Sequence, residues 1–447
     1  MKLLFVENRY ATWIWKEVAV ALAADGHPIH WLVQNPAFAP STGHVRVMPF
    51  PPPVPRSAER QASRPGYEKL STDRGVRYFG NDDSHHAYYR REIAGAIDAI
   101  RPDVMFGEVT QFHEIIASTI ARERGIPYFA PSATRYPPGR IMFQAYDTLE
   151  PVGGCGQGLT DEEALVLRDG ILQRRVIPSY MTASPVPWHA AKRARIVDKL
   201  RIGGSWLRGE RYVTPSPLRK AALERRHRRV VAHWDAHALA GVPPDLDEAG
   251  WLLYAMQVQP EANIDVWGYP WNDQTEIVRL LADSLQRVGG RLVVKPNPKS
   301  KYELSPTLSS LAQGHPAIVA LKHSARMPDV FPRAAGVVSV TGTVTIESVL
   351  ACKPVGVLGQ HAMSRYPGVT PLESPSDAGA FLAAIREGKA AAASEREGAK
   401  LLSDLHAASY AGAIYDPLNQ PHLASQRNHE LIAEAFRHLL GIVLANS

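Results

Sequence analysis

The first half of the chain alternates short apolar runs with longer segments whose apolar residues recur at helical spacing. Leu3 to Val6 predicts a strand, Trp13 to Ala24 predicts an amphipathic helix, and Gly26 marks the end of that helix. Further strands are predicted at 29–33, 45–48, 103–107 and 127–130, with helices at 84–100 and 112–124. Strands that alternate with helices of this length predict a parallel sheet covered by helices on both faces.

The same alternation returns at residue 251. Strands are predicted at 251–256, 291–295, 317–321, 337–340 and 355–358, with helices at 272–288 and 344–351. Polar residues follow the ends of these strands, namely Glu261, Lys295, Asn297 and Thr341–Thr343. Ligands of open parallel sheets bind beyond the carboxyl ends of the strands. The pattern therefore predicts a ligand site at this edge of a second sheet.

The segment Thr341-Gly342-Thr343 separates a predicted strand from a predicted helix. Gly342 allows a ligand to approach the backbone, and Thr341 or Thr343 can cap the helix. We expect the free amides of the first helical turn to point at an anion, with the helix dipole behind them. An ordinary strand–turn–helix connection explains the same residues, because Thr-Gly-Thr alone is a weak phosphate signal.

Residues 160–245 contain few β-branched runs and many basic side chains, most densely at 219–229. This composition predicts a helical insert between two sheet domains. Its charge fits a solvated helix face, or a surface for anionic lipid or a pyrophosphate-bearing acceptor. Nucleic acid is the disfavoured partner, because no aromatic interleaving or recognised nucleic-acid module accompanies the charge.

Composition indicates a two-domain globular protein, with 447 residues, 45% hydrophobic and 21% charged. Cys155 and Cys352 lie far apart without metal spacing, which predicts a reducing compartment and no zinc site. The apolar run at 3–6 is too short for a signal peptide, so we expect a cytoplasmic protein. We expect His85-His86 on an exposed helix end, without a metal, and a long loop at 51–80 that either binds the acceptor or is disordered.

Five segments occur in an order and spacing that resemble one family: Gln257-Val-Gln-Pro-Glu261, 294–298, 340–347, 353–355 and 366–369. Together they resemble the capsule polysaccharide biosynthesis family, which includes the bacterial β-Kdo transferases. The likeness covers about 250–372, and in the first half only Glu108 and segments within 125–141 look similar. It implies the GT-B arrangement, in which two Rossmann-like parallel-sheet α/β domains face each other across a cleft, here with a helical insert.

The implied domains are an acceptor domain at 1–160, a basic helical insert at 161–248, a nucleotide-sugar domain at 249–410, and a C-terminal segment at 411–447. Residues 426–444 are predicted to form an amphipathic helix, because apolar residues recur there at helical spacing. The resemblance implies that this helix crosses back to the first domain.

The resemblance also implies roles for single residues. Glu261 stands where the Kdo transferases have a nucleophilic aspartate, so it can act as nucleophile, base or electrostatic partner, or be a salt-bridged loop carboxylate. Lys295 suits a departing phosphate, and Asn297 replaces a histidine and cannot titrate. No Asp-x-Asp lies nearby, so no metal is implied. The expected site residues are, as catalytic groups, Glu261, Lys295 and Glu108; for the donor, Gln257, Gln259, Asn297, Thr341, Gly342, Thr343 and Glu347; for the acceptor, Glu7, Asn8 and His113.

The resulting expectation is a glycosyltransferase without a cofactor that transfers a sugar from a nucleotide donor to a bacterial surface polysaccharide, with retention. The resemblance implies a CMP-activated 3-deoxy sugar such as Kdo, while UDP- and GDP-sugars stay open. The acceptor is a glycan or lipid-linked glycan, and the protein contacts the anionic inner face of the membrane. The alternatives are a nucleotide-sugar 2-epimerase and a non-catalytic polysaccharide-assembly subunit, the latter suggested by Asn297.

Overall fold

The computed structural model describes residues 1–51, 63–181, 186–246, 250–359 and 362–445. The chain divides into two compact units, here called the first and second units. The first comprises Met1–Thr160, Arg174–Arg219 and Leu402–Ser447, and the second comprises Asp161–Gln173 and Lys220–Leu401. Residues 161–248, expected as a separate insert, are thus divided between both units. Of the loop expected at 51–80, residues 52–62 lie outside the described residues.

The first unit is built on a sheet in the order β14-β6-β5-β4-β1-β2-β3, with β7 paired to β6. The strands are β1 (Leu3–Val6), β2 (Ile29–Val33), β3 (His44–Val47), β4 (Val104–Phe106), β5 (Tyr128–Ala133), β6 (Arg140–Ala145), β7 (Pro151–Val152) and, near the end of the chain, β14 (Tyr410–Ala411). The five strands from β3 to β5 are parallel. Strands β6, β7 and β14 add antiparallel pairs that the sequence pattern did not predict.

Helices cover this sheet and include the C-terminal helix. They are α1 (Ala11–Ala24), α2 (Arg74–Arg77), α3 (Ser84–Ile100), α4 (Phe112–Glu123), α6 (Trp188–Leu207) and α15 (Gln426–Ala445). The helix predicted at 426–444 is confirmed, and its Phe436 ring stacks on Phe5 and contacts Phe106 and Phe143. Aromatic pairs of this kind fix α15 on the sheet of the first unit.

The second unit is built on a fully parallel sheet in the order β10-β9-β8-β11-β12-β13. The strands are β8 (Trp251–Ala255), β9 (Arg291–Lys295), β10 (Ile318–Ala320), β11 (Gly336–Ser339), β12 (Val355–Leu358) and β13 (Val369–Leu372). The four central strands β9, β8, β11 and β12 are mainly apolar and almost entirely buried, as parallel strands covered on both faces are, while the edge strands β10 and β13 are partly exposed.

The helices of the second unit are α5 (Asp161–Leu172), α8 (Ala262–Asp265), α9 (Gln274–Arg287), α10 (Pro306–Gly314), α11 (Met327–Val330), α12 (Val344–Leu350) and α13 (Ala378–Arg386). Two helices continue from one unit into the other, α7 (Pro217–His237) and α14 (Glu395–Ala407). Short 3-10 helices lie at Pro36–Phe38, Glu68–Thr72, Ser179–Met181, Phe331–Arg333, Ala362–Arg365, Pro375–Asp377 and Pro421–Leu423. Among the described helices, none combines the length and the apolar character needed to cross a bilayer.

Both sheets reverse their strand order beside their first strand. In the first unit the chain moves outward from β1 through β2 to β3, then returns to place β4 on the other side of β1. The second unit repeats this pattern with β8, β9 and β10 on one side and β11 on the other. A crevice forms beyond the carboxyl ends of the two strands at such a switch point, and ligands bind there. The predicted pair of parallel α/β domains is confirmed, and each has one switch point.

Candidate functional site

At the switch point of the second unit, Gln257 and Thr341 form a hydrogen-bonded pair. Gln257 follows β8 and Thr341 follows β11, so the pair joins the two strands where the order reverses. The Gln257 Nε2 donates to Thr341 Oγ1 over 3.0 Å, and the Thr341 amide donates to Gln257 Oε1 over 3.2 Å. Thr341 Oγ1 also donates to the carbonyl of Asn263 in α8. The pair therefore fixes the backbone of the Thr341–Thr343 turn against α8.

The turn itself differs from its predicted form. The helix α12 that follows has only seven residues, and its N-cap residue Thr343 makes no side-chain capping hydrogen bond. The amide of Gly342 donates to Ser339 Oγ over 3.0 Å, while the Thr341 amide is held by Gln257. The expectation of threonine capping is therefore wrong, and in the first helical turn the Thr345 amide is not free, because it donates to the Gly342 carbonyl over 3.0 Å. A Cβ on Gly342 would lie 2.9 Å from Ser339 Oγ, so a larger residue would displace the Ser339 hydroxyl from the Gly342 amide.

Gln259 lies within a buried amide network. Its Nε2 donates to Asp265 Oδ1 over 2.6 Å, and its Oε1 accepts from Gln274 Nε2 over 3.1 Å. The amide of Gln259 donates to Glu303 Oε2 over 3.1 Å. Because these hydrogen bonds tie Gln259 to α8, α9 and Glu303, the network fixes the loop between β8 and α8. Gln259, predicted to contact the donor, instead contacts this network.

The network leaves Glu261 exposed at the N-terminus of α8. Its carbonyl accepts from the amide of Asp265 over 2.9 Å, so the backbone is fixed. Asn263, two residues on, contacts Thr341. Glu261 thus lies on the same short helix that the Thr341 turn contacts.

Lys295 and Asn297 lie at the end of β9, with both side chains turned toward the local backbone. Lys295 is 3% exposed, and its Nζ donates to the carbonyl of Pro296 over 2.8 Å. Burial lowers the pKa of Lys295, with the charge of Asp235 opposing the shift. The Asn297 Oδ1 accepts from the amide of Lys299 over 2.9 Å, which closes a turn. Glu347 is partly exposed on α12.

The switch point of the first unit holds the predicted acceptor residues. Glu7 follows β1 and is fully buried; its carboxylate accepts from the amides of Arg9 over 2.5 Å and Asn35 over 2.9 Å. His113 Nε2 lies 2.7 Å from the carbonyl oxygen of Glu7. Burial raises the pKa of Glu7 to about 7, and hydrogen bonds from the Asn35 and Arg9 amides oppose this shift. Burial lowers the pKa of His113.

Glu108 follows β4 on the other side of this switch point. Glu108 is partly exposed, and its Oε1 accepts a hydrogen bond from Trp15 Nε1 over 3.3 Å. Desolvation raises the pKa of Glu108 to about 8, and the negative charge of Glu114 raises it further. A carboxyl group that titrates near neutral pH can exchange a proton with a substrate hydroxyl. Glu108 is therefore suited to acid–base chemistry.

Glu114 on α4 joins the residues of the first switch point. Its carboxylate accepts from the amides of Glu108 over 2.8 Å and Thr110 over 2.9 Å, and from Asn8 Nδ2 over 2.9 Å. It is fully buried, and burial raises its pKa. Asn8, predicted to bind the acceptor, thus connects the β1 end to the β4 end through Glu114 and Thr110.

Two residues beside this switch point adopt left-handed backbone conformations. Arg9 has φ 38° and Val109 has φ 55°. A β-branched residue in this region is strained, and such strain concentrates at functional sites. Arg9 Nη2 donates to the Val213 carbonyl over 2.7 Å.

The sequence interpretation missed Glu114 and Glu210. Glu210 is fully buried, and its Oε1 accepts from the amides of Tyr212 over 3.1 Å and Val213 over 2.9 Å. The sequence did contain a signal for Glu114, because Gln111 and Glu114 have the spacing of a capping box, which they form at the start of α4. Glu210 lies in a loop far from the strands in sequence, and no local pattern marks it.

The expectation that His85 and His86 lie on an exposed helix end is wrong. Both rings are buried, and both contact the carboxylate of Asp73. The ring of His85 packs edge-on against Phe112 and contacts Tyr212. These aromatic contacts draw the first turn of α3 into the interior of the first unit.

No family model matches this chain, and no curated protein matches it. Thermosulfurimonas dismutans KpsC, a β-Kdo 2,7 transferase, is 11% identical at a TM-score of 0.35, covering 99% of both chains. The calicheamicin glycosyltransferase CalG4 is 15% identical at a TM-score of 0.27, covering 98% of both chains. The UDP-GlcNAc 2-epimerase of Methanocaldococcus jannaschii is 12% identical at a TM-score of 0.26, covering 91% of this chain and 99% of its own. Likenesses at these TM-scores assign no activity to this chain.

Proposed function

We propose that this protein is a glycosyltransferase whose second unit binds a nucleotide-sugar donor and whose first unit binds the acceptor glycan. The proposal rests on one observation: the two switch points hold chemically different side chains. One has the Gln257–Thr341 pair beside the exposed Glu261, and the other has Glu7 and Glu108, whose pKa values are raised to about 7 and about 8. A group transfer between two substrates needs two such sites.

The donor phosphate is proposed to bind at Thr341–Thr343. Gly342 has no side chain there, and the Gln257–Thr341 pair holds the turn in place. A bound phosphate replaces Ser339 Oγ as the acceptor of the Gly342 amide, because an anion is the stronger acceptor. The likeness of Gln257–Glu261 to the β-Kdo transferase motif supports a CMP-linked 3-deoxy sugar.

Glu261 is proposed to act at the anomeric carbon, because it is the exposed carboxylate of this switch point. As a nucleophile it displaces the nucleotide phosphate and forms a glycosyl ester. The acceptor hydroxyl then attacks the same carbon, loses its proton to a base and releases Glu261, so the product retains the donor's configuration. Glu108 is the proposed proton acceptor, because its pKa is raised to about 8. This scheme requires no metal ion.

A lipid-linked acceptor fits the exposed face of α6. Ile196, Leu200 and Leu207 are 49%, 71% and 75% exposed, and their spacing places them on one side of the helix. Lys192 and Lys199 flank that side in the helical repeat. An apolar stripe bordered by basic residues is the pattern of a helix lying in the interface of an anionic membrane.

Vesicle co-sedimentation tests the membrane contact. We expect the protein to pellet with phosphatidylglycerol vesicles and to stay in solution with phosphatidylcholine vesicles. Leu200→Ser should weaken pelleting, whereas Leu444→Ser, at a residue 58% exposed on α15, serves as the matched control. Equal loss in both variants, or binding to neither vesicle, would refute this surface.

Thermal shift against CMP, UDP, GDP and their sugars tests the donor site. We expect one nucleotide family, CMP in the first instance, to raise the melting temperature of the wild type. Thr341→Val removes the hydroxyl that bonds Gln257 and Asn263 and should abolish this rise. Thr307→Val, at an exposed position on α10, is the matched control and should leave it intact.

Incubation with a nucleotide sugar alone distinguishes a glycosyltransferase from a 2-epimerase. UDP-N-acetylglucosamine incubated with the protein and followed by NMR should remain unepimerised, and conversion at C2 would favour the 2-epimerase instead. If no nucleotide shifts the melting temperature and no sugar is transferred, the non-catalytic alternative replaces the proposal.

A further inference from the structure

Three buried side chains of the first unit converge on one point. Asp73 precedes α2, and His85 and His86 begin α3. The Oδ2 atom of Asp73 lies 2.9 Å from the Nε2 of each histidine. The three side chains are 4%, 2% and 1% exposed, and their nearest polar atoms all lie within 4.8 Å of one another.

The hydrogen-bond partners of His85 cannot both be satisfied by a neutral imidazole when Asp73 is ionised. Its Nδ1 lies 3.1 Å from the carbonyl oxygen of Asp82, which can only accept. Its Nε2 lies 2.9 Å from the carboxylate of Asp73, which when ionised also only accepts. A neutral imidazole carries one N–H and can satisfy only one of these oxygens. A second proton on His85, a proton on Asp73, or a cation between the ring and the carboxylate resolves the conflict.

The contacts of His85 match those of a metal-bound histidine, whereas Nδ1 of His86 is buried without a partner. Ligating histidines donate their other N–H to a carbonyl or carboxylate, as His85 Nδ1 does to Asp82. Tetrahedral Zn²⁺ with bonds of about 2.0–2.1 Å places its ligand atoms about 3.3 Å apart. The two Asp73–histidine separations of 2.9 Å therefore need to open by only a few tenths of an ångström, and the third pair, the two histidine nitrogens, lies within 4.8 Å.

The turn that carries Asp73 is held in place. The amide of Gly75 donates to Asp73 Oδ1 over 3.0 Å, which leaves Oδ2 directed at the histidines. A Cβ on Gly75 would lie 2.3 Å from the carbonyl oxygen of Tyr212, so no other residue permits this packing. The ligand atoms are thus positioned by the fold and not only by one another.

We propose that Asp73, His85 and His86 bind a divalent first-row transition metal, with Zn²⁺ as the representative ion. Two imidazole nitrogens and one carboxylate oxygen are a ligand set that suits this class of ion. The site is separate from the donor and acceptor residues and does not depend on the proposed glycosyl transfer.

The ion would stabilise the side chains that pack next to the first switch point. His85 contacts the ring of Tyr212, with centroids 4.9 Å apart, and the Tyr212 amide donates to Glu210 over 3.1 Å. Tyr89 also lies against His85, and its hydroxyl accepts from Gln34 Nε2 over 3.3 Å. The metal is therefore a positioning group, and no substrate contact is assigned to it.

Metal analysis of untagged protein tests the proposal. After growth with added Zn²⁺ and gel filtration, wild-type protein should retain about one ion per chain. Asp73→Asn and His86→Gln should lose it while keeping the wild-type circular dichroism spectrum. His44→Gln, at an exposed position on β3, is the matched control for adventitious histidine binding and should retain the ion. Co²⁺-loaded wild type should show visible absorption bands that both cluster variants lack.

Three results would overturn it. One is the absence of retained metal together with an unchanged melting temperature when Zn²⁺ is added to chelated protein. Another is full metal content in the Asp73→Asn variant. The third is a ¹⁵N spectrum of Zn²⁺-treated protein that shows both ring nitrogens of His85 protonated, because a proton then takes the place proposed for the cation. All three are read without an activity assay, so they leave the glycosyltransferase proposal untouched.

Discussion

Glu108→Gln is expected to stabilise the protein at high pH while reducing its activity. Folding transfers the Glu108 carboxyl to a desolvated position beside the negative Glu114, and these two effects raise its pKa from 4.5 to about 8. A carboxyl whose pKa is raised by folding favours the native state below its unfolded pKa. This stability is lost as the pH rises toward the folded pKa. A neutral glutamine carries no charge to desolvate, so it removes this loss.

The magnitude follows from the pKa difference. Each pKa unit corresponds to about 1.4 kcal/mol, so the full effect at pH 9 is on the order of 5 kcal/mol. At pH 4 the carboxyl is protonated in the folded state, and the variant and wild type should differ by less than about 1 kcal/mol. Trp15 Nε1 keeps a partner, because the amide oxygen of glutamine can accept in place of Oε1.

Urea unfolding at pH 4, 7 and 9, followed by circular dichroism and tryptophan fluorescence, measures the effect. The difference in unfolding free energy between Glu108→Gln and wild type should grow as pH rises. Glu434→Gln, at an exposed position on α15, is the matched control and should show no such growth.

A pH-independent difference for Glu108→Gln would show that the carboxyl is solvated in the native state. The role of Glu108 as a base would then lose its physical support. A variant destabilised at pH 9 would contradict the reasoning outright, since it would mean that the ionised carboxylate is favoured by the fold.

Three further outcomes are expected. Glu261→Gln should lower kcat under either stereochemical course, and product NMR with mass spectrometry of the slowed variant should show retention and a glycosyl adduct; wild-type turnover would exclude the role. Lys295→Met should lower kcat on the order of 100-fold with little change in melting temperature, while the reverse result would make the buried ammonium structural. Phe436→Ala should cost about 3–5 kcal/mol in urea unfolding because its ring is fully buried against Phe5 and Phe106, and a loss below about 1 kcal/mol would mean that α15 is not fixed there.

The sequence by itself determined all the parallel strands except β13, most helices and the order of the polar strand ends. Periodicity reports which face of an element is buried, and that information is local. It placed Glu7, Glu108 and Lys295 at the ends of strands, where the structure also finds them, whereas Glu261 lies beyond β8 at the N-terminus of α8. It also located the C-terminal helix, because Phe436 and its neighbours recur at helical spacing.

Only the tertiary structure decided which of these side chains face solvent. Glu261 is exposed, whereas Lys295 is buried against its own loop and Gln259 lies within an amide network. Burial depends on neighbours that are distant in sequence, such as Glu303 for Gln259. A local pattern carries no record of these partners.

The tertiary structure also decided the pKa values and the histidine cluster. Glu108 is desolvated, and His85 and His86 converge on Asp73, because separate segments of the chain pack together. No local sequence pattern links these segments. The sequence determined the elements because side-chain periodicity is local. The electrostatics was decided by the tertiary structure, because charge and solvation depend on everything within a few ångströms in space.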